Sequence, residues 1–423
     1  MSFPRYPEYK SCCMEWSGDI PVHWETLALK RVALFKSGNT IGPDQITEEG
    51  EYPVYGGNGL RGYTDAYTHE GFFPLVGRQG ALCGNINYSS GRFWASEHAV
   101  VVTALRPLEP KWLGELLRAM NLGQHSVSAA QPGLSVEIIN NLQIPLPPLP
   151  EQSAITAFLG RETAKIHALV AEQEKLIELL KEKRQSVISH AVTKGLDPNV
   201  SMKDSGVEWL GEVPEHWDVL AIKWISPVSR GASPRPIEDP KYFDDNGDYA
   251  WVRIADVSAC SGVLYKTTQR LSVLGASLSV KIHPGDLFIS IAGTVGKPCM
   301  SAIQACIHDG FVYFPSLTIT PNFLFRIFEA GLCYSGLGKM GTQLNLNTDT
   351  IGSIRVAVPP KKEVESILSF LDYEVSEIDA LITESQHAIT LLNERRSALI
   401  SAAVTGKIDV RGLAASENTM EKP

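Results

Sequence analysis

"IPLPPLPEQSAITAFLGRETAKIHALVAEQEKLIELLKEKRQSVISHAVTKG", residues 144–195, has an echo in "VAVPPKKEVESILSFLDYEVSEIDALITESQHAITLLNERRSALISAAVTGK", residues 356–407. The offset is 212 positions, and the alignment runs without a gap to Val192 and Val404. In the first copy Pro150 and Glu151 suit a first helical turn, where a missing N–H costs nothing and a carboxylate meets the positive end of the dipole. Gly195 and Pro198 then stop the helix. Between them lie about 43 helical residues, roughly 60 Å at 1.5 Å per residue, which exceeds an ordinary globular helix.

A second echo opens each half. "SGDIPVHWETLALKRV" (residues 17–32) matches "LGEVPEHWDVLAIKWI" (residues 210–225) at an offset of 193, aligning His23 and Trp24 with His216 and Trp217. The two halves share their ends, so the 19-residue difference in offset lies between them. The middles, about 35–142 and 228–354, are rich in Gly, Pro, Asn and aromatic residues. They carry short apolar runs such as "HAVVVTAL" and "GDLFISIAG" and short helical patterns such as "KWLGELLRAM", which read as strand-rich α+β modules.

The apolar positions of each long helix give a heptad-like seam: Ile155, Leu159, Ile166, Leu169, Leu176, Leu180 and Val187, then Ile367, Leu371, Ile378, Leu381, Leu392 and Leu399. Glu162 and Lys183 interrupt the first seam, and Glu374 and Arg395 interrupt the second at equivalent places. An antiparallel pairing would bring Glu162 to Arg395 and Lys183 to Glu374, whereas a parallel one would set acid against acid. The expected fold is therefore α+β, two strand-rich modules separated by an antiparallel coiled coil of two long helices, with a pseudo-twofold internal repeat. The expected boundaries are 1–150 for the first module, 151–195 for the first helix, 196–358 for the second module, 359–406 for the second helix and 407–423 for a tail.

The totals bound the function. At 423 residues, with 44% hydrophobic and 20% charged content, the chain can fill two or three cores. No leader pattern or membrane-length apolar run is evident, which points to the cytoplasm. The seven cysteines lack paired CxxC spacing, so neither a disulfide framework nor a zinc site is expected. The formal charge of -9 disfavours a simple nucleic-acid binder, so contact with DNA would need local patches or a partner's basic surface. Catalytic signatures are missing. "AGTVGKP" (residues 292–298) lacks the first glycine and the Ser/Thr of a phosphate loop, "YGGNG" opens no dinucleotide fingerprint, and neither HExxH nor an amino-methyltransferase tetrapeptide occurs. No catalytic, cofactor or metal residue is assigned. His23 with Trp24 and His216 with Trp217 belong to the shared frame and read as packing or docking residues.

The variable module followed by "PPLPEQxxIxxFL", the long helix ending "AVTxG", the "GxVPxHW" opening, and "PGDLFISIAGTVGK" with "GTQLNLNT" resemble the DNA-specificity subunit of type I restriction-modification enzymes, over about residues 18–408. The resemblance implies a non-catalytic subunit whose two target-recognition domains each read half of a split double-stranded DNA site. The helices would set the unread spacing. Two methyltransferase (modification) subunits would dock on the repeated frame, and ATP-dependent restriction subunits can join. S-adenosylmethionine, ATP and magnesium would belong to those partners. The second copy departs from the pattern, with "KKEV" standing where the first has "LPEQ". A two-headed protein-interaction scaffold without nucleic-acid binding is the alternative.

For DNA contact, Arg or Lys suits guanine, Asn or Gln suits adenine, and hydroxyls hold phosphates. On glycine-punctuated loops the first module offers Asn58, Arg61, Tyr63, Arg78, Gln79, Asn85, Asn87, Arg92, Ser96 and His98. The second offers Arg230, Ser233, Arg235, Arg253, Ser290, Thr294, Lys297, Lys339, Thr342, Gln343, Asn345 and Asn347.

Overall fold

A computed structural model describes residues 3–12, 14, 16–80, 82–126, 133–335, 337 and 346–413. Two compact units emerge, one from residues up to 174 together with those from 386 onward, the other from residues 175–385. The division falls inside both long helices, Leu149–Lys194 and Lys361–Val404, and not at their ends.

Within the first unit, Ile155, Phe158 and Leu159 share a core with Leu399, Ile400, Ala403 and Val404. Within the second, Ile188, Ala191 and Val192 share a core with Val364, Ile367, Leu371 and Val375. The start of each helix thus packs against the end of the other, which is antiparallel pairing.

The seam is not the heptad one. Leu159, Ile166, Leu180, Leu371 and Ile378 are buried as expected, but Leu169 and Leu381 are 45% and 50% exposed, and Leu392 is half-buried. The buried row follows isoleucines eleven residues apart: Ile155, Ile166, Ile177 and Ile188, then Ile367, Ile378, Ile389 and Ile400, of which only Ile389 is half-buried. Seven residues fall short of two full helical turns and drift around the helix, whereas eleven correspond to three turns of 3.67 residues. Ile188→Ala is expected to cost about 2–5 kcal/mol, and Leu169→Ala less than about 0.5 kcal/mol. Denaturant midpoints of the two variants check this, and equal losses would restore the heptad.

The expected orientation charges do not meet. Glu162 takes Lys165 at 2.9 Å, and among the described residues no ion pair joins Glu162 to Arg395 or Lys183 to Glu374. The helix-to-helix pair is Arg184 with Asp379 at 2.9 Å, and Arg184 also reaches Glu329 at 2.8 Å. Lys183 sits about 100° around the helix from Arg184 and is exposed.

Each module holds two main sheets. In the first, Ala33–Ser37, Ala99–Ala104, Phe73–Gly77 and Ile86–Ser89 form an antiparallel sheet in that order. The other sheet runs Gly59–Thr64, Tyr52–Gly56, Arg92–Ala95, His69–Glu70, with its central pair parallel. The second module repeats the first sheet as Ser229–Arg230, Phe311–Tyr313, Leu287–Ser290 and Pro298–Ser301, extended by Val263–Leu264. It repeats the other as Gln269–Leu271, Tyr249–Val252, Ala305–Ile307 and Val280–Ile282, again with a parallel central pair. The middles, unmatched in sequence, share one topology.

Their registers locate the 19 residues. Gly38 donates its N–H to Ala99 O, and Gly231 donates to Phe311 O, both at 2.9 Å, so the opening offset of 193 still holds at these glycines. The paired strands place Tyr52 on Tyr249 (offset 197), Thr64 on Leu271 (207) and Ala95 on Ile307 (212). The largest step replaces the tight turn at Gly57 and Asn58 with an excursion over residues 253–268 that carries the helix Ile254–Ala259.

The shared frame closes each unit in the same way. Leu27 pairs with Ile144 and Leu220 with Val356, while Tyr9 pairs with Pro21 and Met202 with Pro214. Trp24 and Trp217 are fully buried, beside the left-handed glycines Gly406 and Gly195 that end the long helices. His23 lies 2.7 Å from Glu151, and His216 lies 2.8 Å from Glu363. The tryptophans pack, whereas the two histidines stay exposed beside the carboxylates that open the long helices.

Gln152, absent from the second copy, is buried and structural. It accepts the Glu109 N–H and donates to Pro147 O, each at 2.9 Å. Val364 takes the equivalent place as part of the apolar core.

Candidate nucleic-acid interface

In the first module three loops converge at one end of the two sheets: the turn at residues 57–58, the residues after strand Phe73–Gly77, and the residues before strand Ala99–Ala104. Asn58, Arg61, Gln79 and His98 line a common open cleft there with Leu60 and Leu82. Arg78 lies beside it, its Nη1 donating to Ser37 Oγ at 3.3 Å and its backbone N–H to His98 O. Asn85 donates to Asn58 Oδ1 at 3.1 Å. Asn87, half-buried, faces Gly59. Tyr63 is half-buried in the strand that bridges to Thr47.

Two residues expected with this group are placed otherwise. Arg92 is tied to Glu70 at 3.2 Å and lies over the Tyr67 ring. Ser96 is fully buried and receives the His98 N–H, because it lies on the inner face where the parallel strand pair ends.

The second module builds the same crossing from different chemistry. Arg230 donates to Asp309 O, Arg235 to Asp309 Oδ2 at 2.8 Å, and Ser233 to Asp309 Oδ1 at 3.0 Å. Burial alone would raise the Asp309 pKa, but the Ser233 hydroxyl and the Arg235 and Arg230 guanidiniums outweigh it and hold the carboxyl below its usual range. Arg253 donates to Gln269 Oε1, and both line a cleft with Trp251, Phe243, Glu238 and His308. Burial lowers the His308 pKa despite Asp309 beside it, and Nδ1 accepts the Gly310 N–H at 2.8 Å. A neutral ring bonded in this way carries its proton on Nε2.

Four further candidates are tied within the fold. Lys297 donates to the carbonyls of Ser258 (3.0 Å) and Cys260 (2.7 Å), and Thr294 meets the Ser258 hydroxyl. Ser290 is fully buried and bonded to Ala292 O, since its strand is covered on both faces, so it cannot touch a ligand. Asn347 caps the helix Thr348–Ser353 by accepting the Thr350 N–H. Lys339, Thr342, Gln343 and Asn345 lie outside the described residues.

Sequence reasoning missed Gln269, His308 and Asp309. Carrying the offset of 212 back from the shared tail to His98 and Ala99 would have drawn attention to "IHDGF", which stands in the same place.

The family model described as the type I restriction modification DNA specificity domain matches residues 21–179 and again 214–391, and its two matches are themselves offset by 193 at the start and 212 at the end. The type I restriction enzyme EcoprrI specificity subunit of Escherichia coli is 37% identical over 161 residues, covering 37% of this chain and 40% of that subunit. The MjaVIII specificity subunit of Methanocaldococcus jannaschii is 24% identical over 296 residues, covering 67% of this chain and 66% of that one. A chain from a solved type I restriction-modification system has the same fold, with a TM-score of 0.70 at 16% identity over 91% of this chain and 98% of its own. With two domain matches that together take in most of its length, the chain belongs to the type I restriction-modification DNA specificity family.

Proposed function

We propose that each module reads one half of a split, asymmetric site in double-stranded DNA, and that the repeated frame docks two methyltransferase subunits. The observation that carries this reading is the crossing built twice. Equivalent backbone positions carry Ser37, Arg78, Glu97 and His98 in one module and Arg230, Ile291, Asp309 and Gly310 in the other, and the Arg78 N–H bond to His98 O is repeated by Ile291 N–H to Gly310 O. Constant backbone with changed side chains is what reading two different sequences requires. The frame, by contrast, repeats its histidine-carboxylate pair and its buried tryptophan, as presenting one surface to two copies of a partner requires.

The chain acts as a non-catalytic recognition subunit. S-adenosylmethionine is held by the methyltransferases, while ATP and magnesium belong to restriction subunits where these join. Among the described residues no helix is long and apolar enough to cross a membrane, which agrees with work on DNA in the cytoplasm.

Salt tests the reading against a protein-interaction scaffold. Affinity of the methyltransferase complex for duplex DNA is expected to fall by at least about tenfold between 50 and 200 mM salt, through released counterions. Fluorescence anisotropy of a labelled duplex reads this, and salt-insensitive or absent binding would favour the scaffold.

A further inference from the structure

We propose that Arg61 and Arg253 are the guanine-reading residues, one for each half-site, reaching the same corner of the two modules from different strands. This rests on the reading of both modules as DNA readers.

Arg253 directly follows strand Tyr249–Val252, and the offset of 197 along that strand makes Gly56 its counterpart in the first module. Gly56 has no side chain, and the space is filled from the neighbouring strand. A Cβ on Gly56 would stand 2.4 Å from Arg61 Cδ. Arg61 can lie there because the strand register slips at that point: Val54 faces Gly62 and Tyr55 faces Leu60, which leaves Arg61 as the unpaired residue of a bulge. Bulges re-aim side chains in this way. Two unrelated local sequences thus put an exposed guanidinium over the end of the parallel strand pair, and each lines its module's cleft.

The other arginines of these loops are engaged. Arg230 and Arg235 are bound to Asp309, Arg92 to Glu70 and Arg78 to Ser37. Among the described residues no carboxylate makes an ion pair with the side chain of Arg61 or Arg253. Arg253 is held instead by the neutral Gln269 amide, which fixes the plane of the fork and leaves further N–H donors unspent. A fixed pair of parallel donors matches the two acceptors, O6 and N7, on the major-groove edge of guanine. In the second cleft the His308 Nε2–H adds a donor beside the fork.

The test uses the chain co-expressed with its methyltransferase in a host free of other adenine methylation, with genome-wide mapping of methylated adenines. The wild-type complex is expected to give one bipartite motif with a G·C pair in each half. Arg253→Lys keeps the charge but loses the fork, and should make one such position in one half degenerate. Arg61→Lys should do the same in the other half only. With purified complexes, 7-deazaguanine at that position should weaken wild-type binding by about 10- to 100-fold and the matching lysine variant by less than about threefold. The proposal is overturned by a half-motif without a G·C pair, by unchanged motifs in the lysine variants, by both variants relaxing the same half, or by equal deazaguanine losses in wild type and variant. Absence of any sequence-specific methylation or binding by the wild type would instead remove the underlying reading of the modules as DNA readers.

Discussion

Exchanging residues 35–142 for the corresponding stretch of another specificity subunit is expected to rewrite one half of the methylated motif and leave the other half untouched. The exchanged segment begins at Phe35, inside the first strand of the antiparallel sheet, and ends at Leu142, whose carbonyl accepts the Leu29 N–H where the frame's two-stranded ladder begins. It contains every strand of the mixed sheet and all three loops of the first cleft. Outside it stay the paired segments at Leu27 and Ile144, the His23–Glu151 pair and buried Trp24, so docking and helix packing should survive. The chimera must preserve the contacts that Val76, Val100 and Trp112 make with the core containing Ile144 and Ile155, and donors carrying apolar residues at those sites are the appropriate choice. Mapping of methylated adenines measures the outcome. A change in both halves, or in neither, would refute one reader per module.

Gly38→Ala and Gly231→Ala should each collapse the crossing of their own module. A Cβ on either glycine would stand 2.1 Å from a backbone carbonyl oxygen, that of Ala95 in one case and His308 in the other. No side chain can swing aside to relieve this, so the strands themselves must part and the N–H bonds to Ala99 O and Phe311 O must lengthen. A loss of more than about 3 kcal/mol is expected. Hydrogen exchange should show it as faster exchange in strands Ala99–Ala104 and Phe73–Gly77 for the first variant, and in Phe311–Tyr313 and Leu287–Ser290 for the second. Gly412→Ala, where an added Cβ meets nothing within 4 Å, is the control. If Gly231→Ala melts with that control, the close crossing in the second module is wrong.

The sequence alone settled the features whose cause is local or repeated. Two long helices follow from proline entries, acidic first turns and apolar rows interrupted by no proline and by the single tolerated Gly160 before Gly195 and Gly406. The offsets of 193 and 212 separated a constant frame from variable middles, and both offsets reappear in the strand registers. Antiparallel pairing was also inferred correctly, although from charges that do not meet. The helices are antiparallel because each unit needs the start of one and the end of the other to complete its core.

Tertiary structure decided the rest. A heptad seam and an eleven-residue row share Ile155 and Ile166 and diverge beyond Ile166, at Leu169 and Ile177, so the choice depends on which face is covered, and one helix does not specify that. The common topology of the middles was invisible because a β-ladder is held by backbone groups that every residue but proline supplies. Side chains can therefore diverge until only two glycines at a crossing keep their place. For the same reason the chemistry of single residues could not be read in order along the chain. Whether an arginine is held by a neutral amide, like Arg253, or spent on a carboxylate, like Arg235, is set by a partner distant in the chain that only folding brings near.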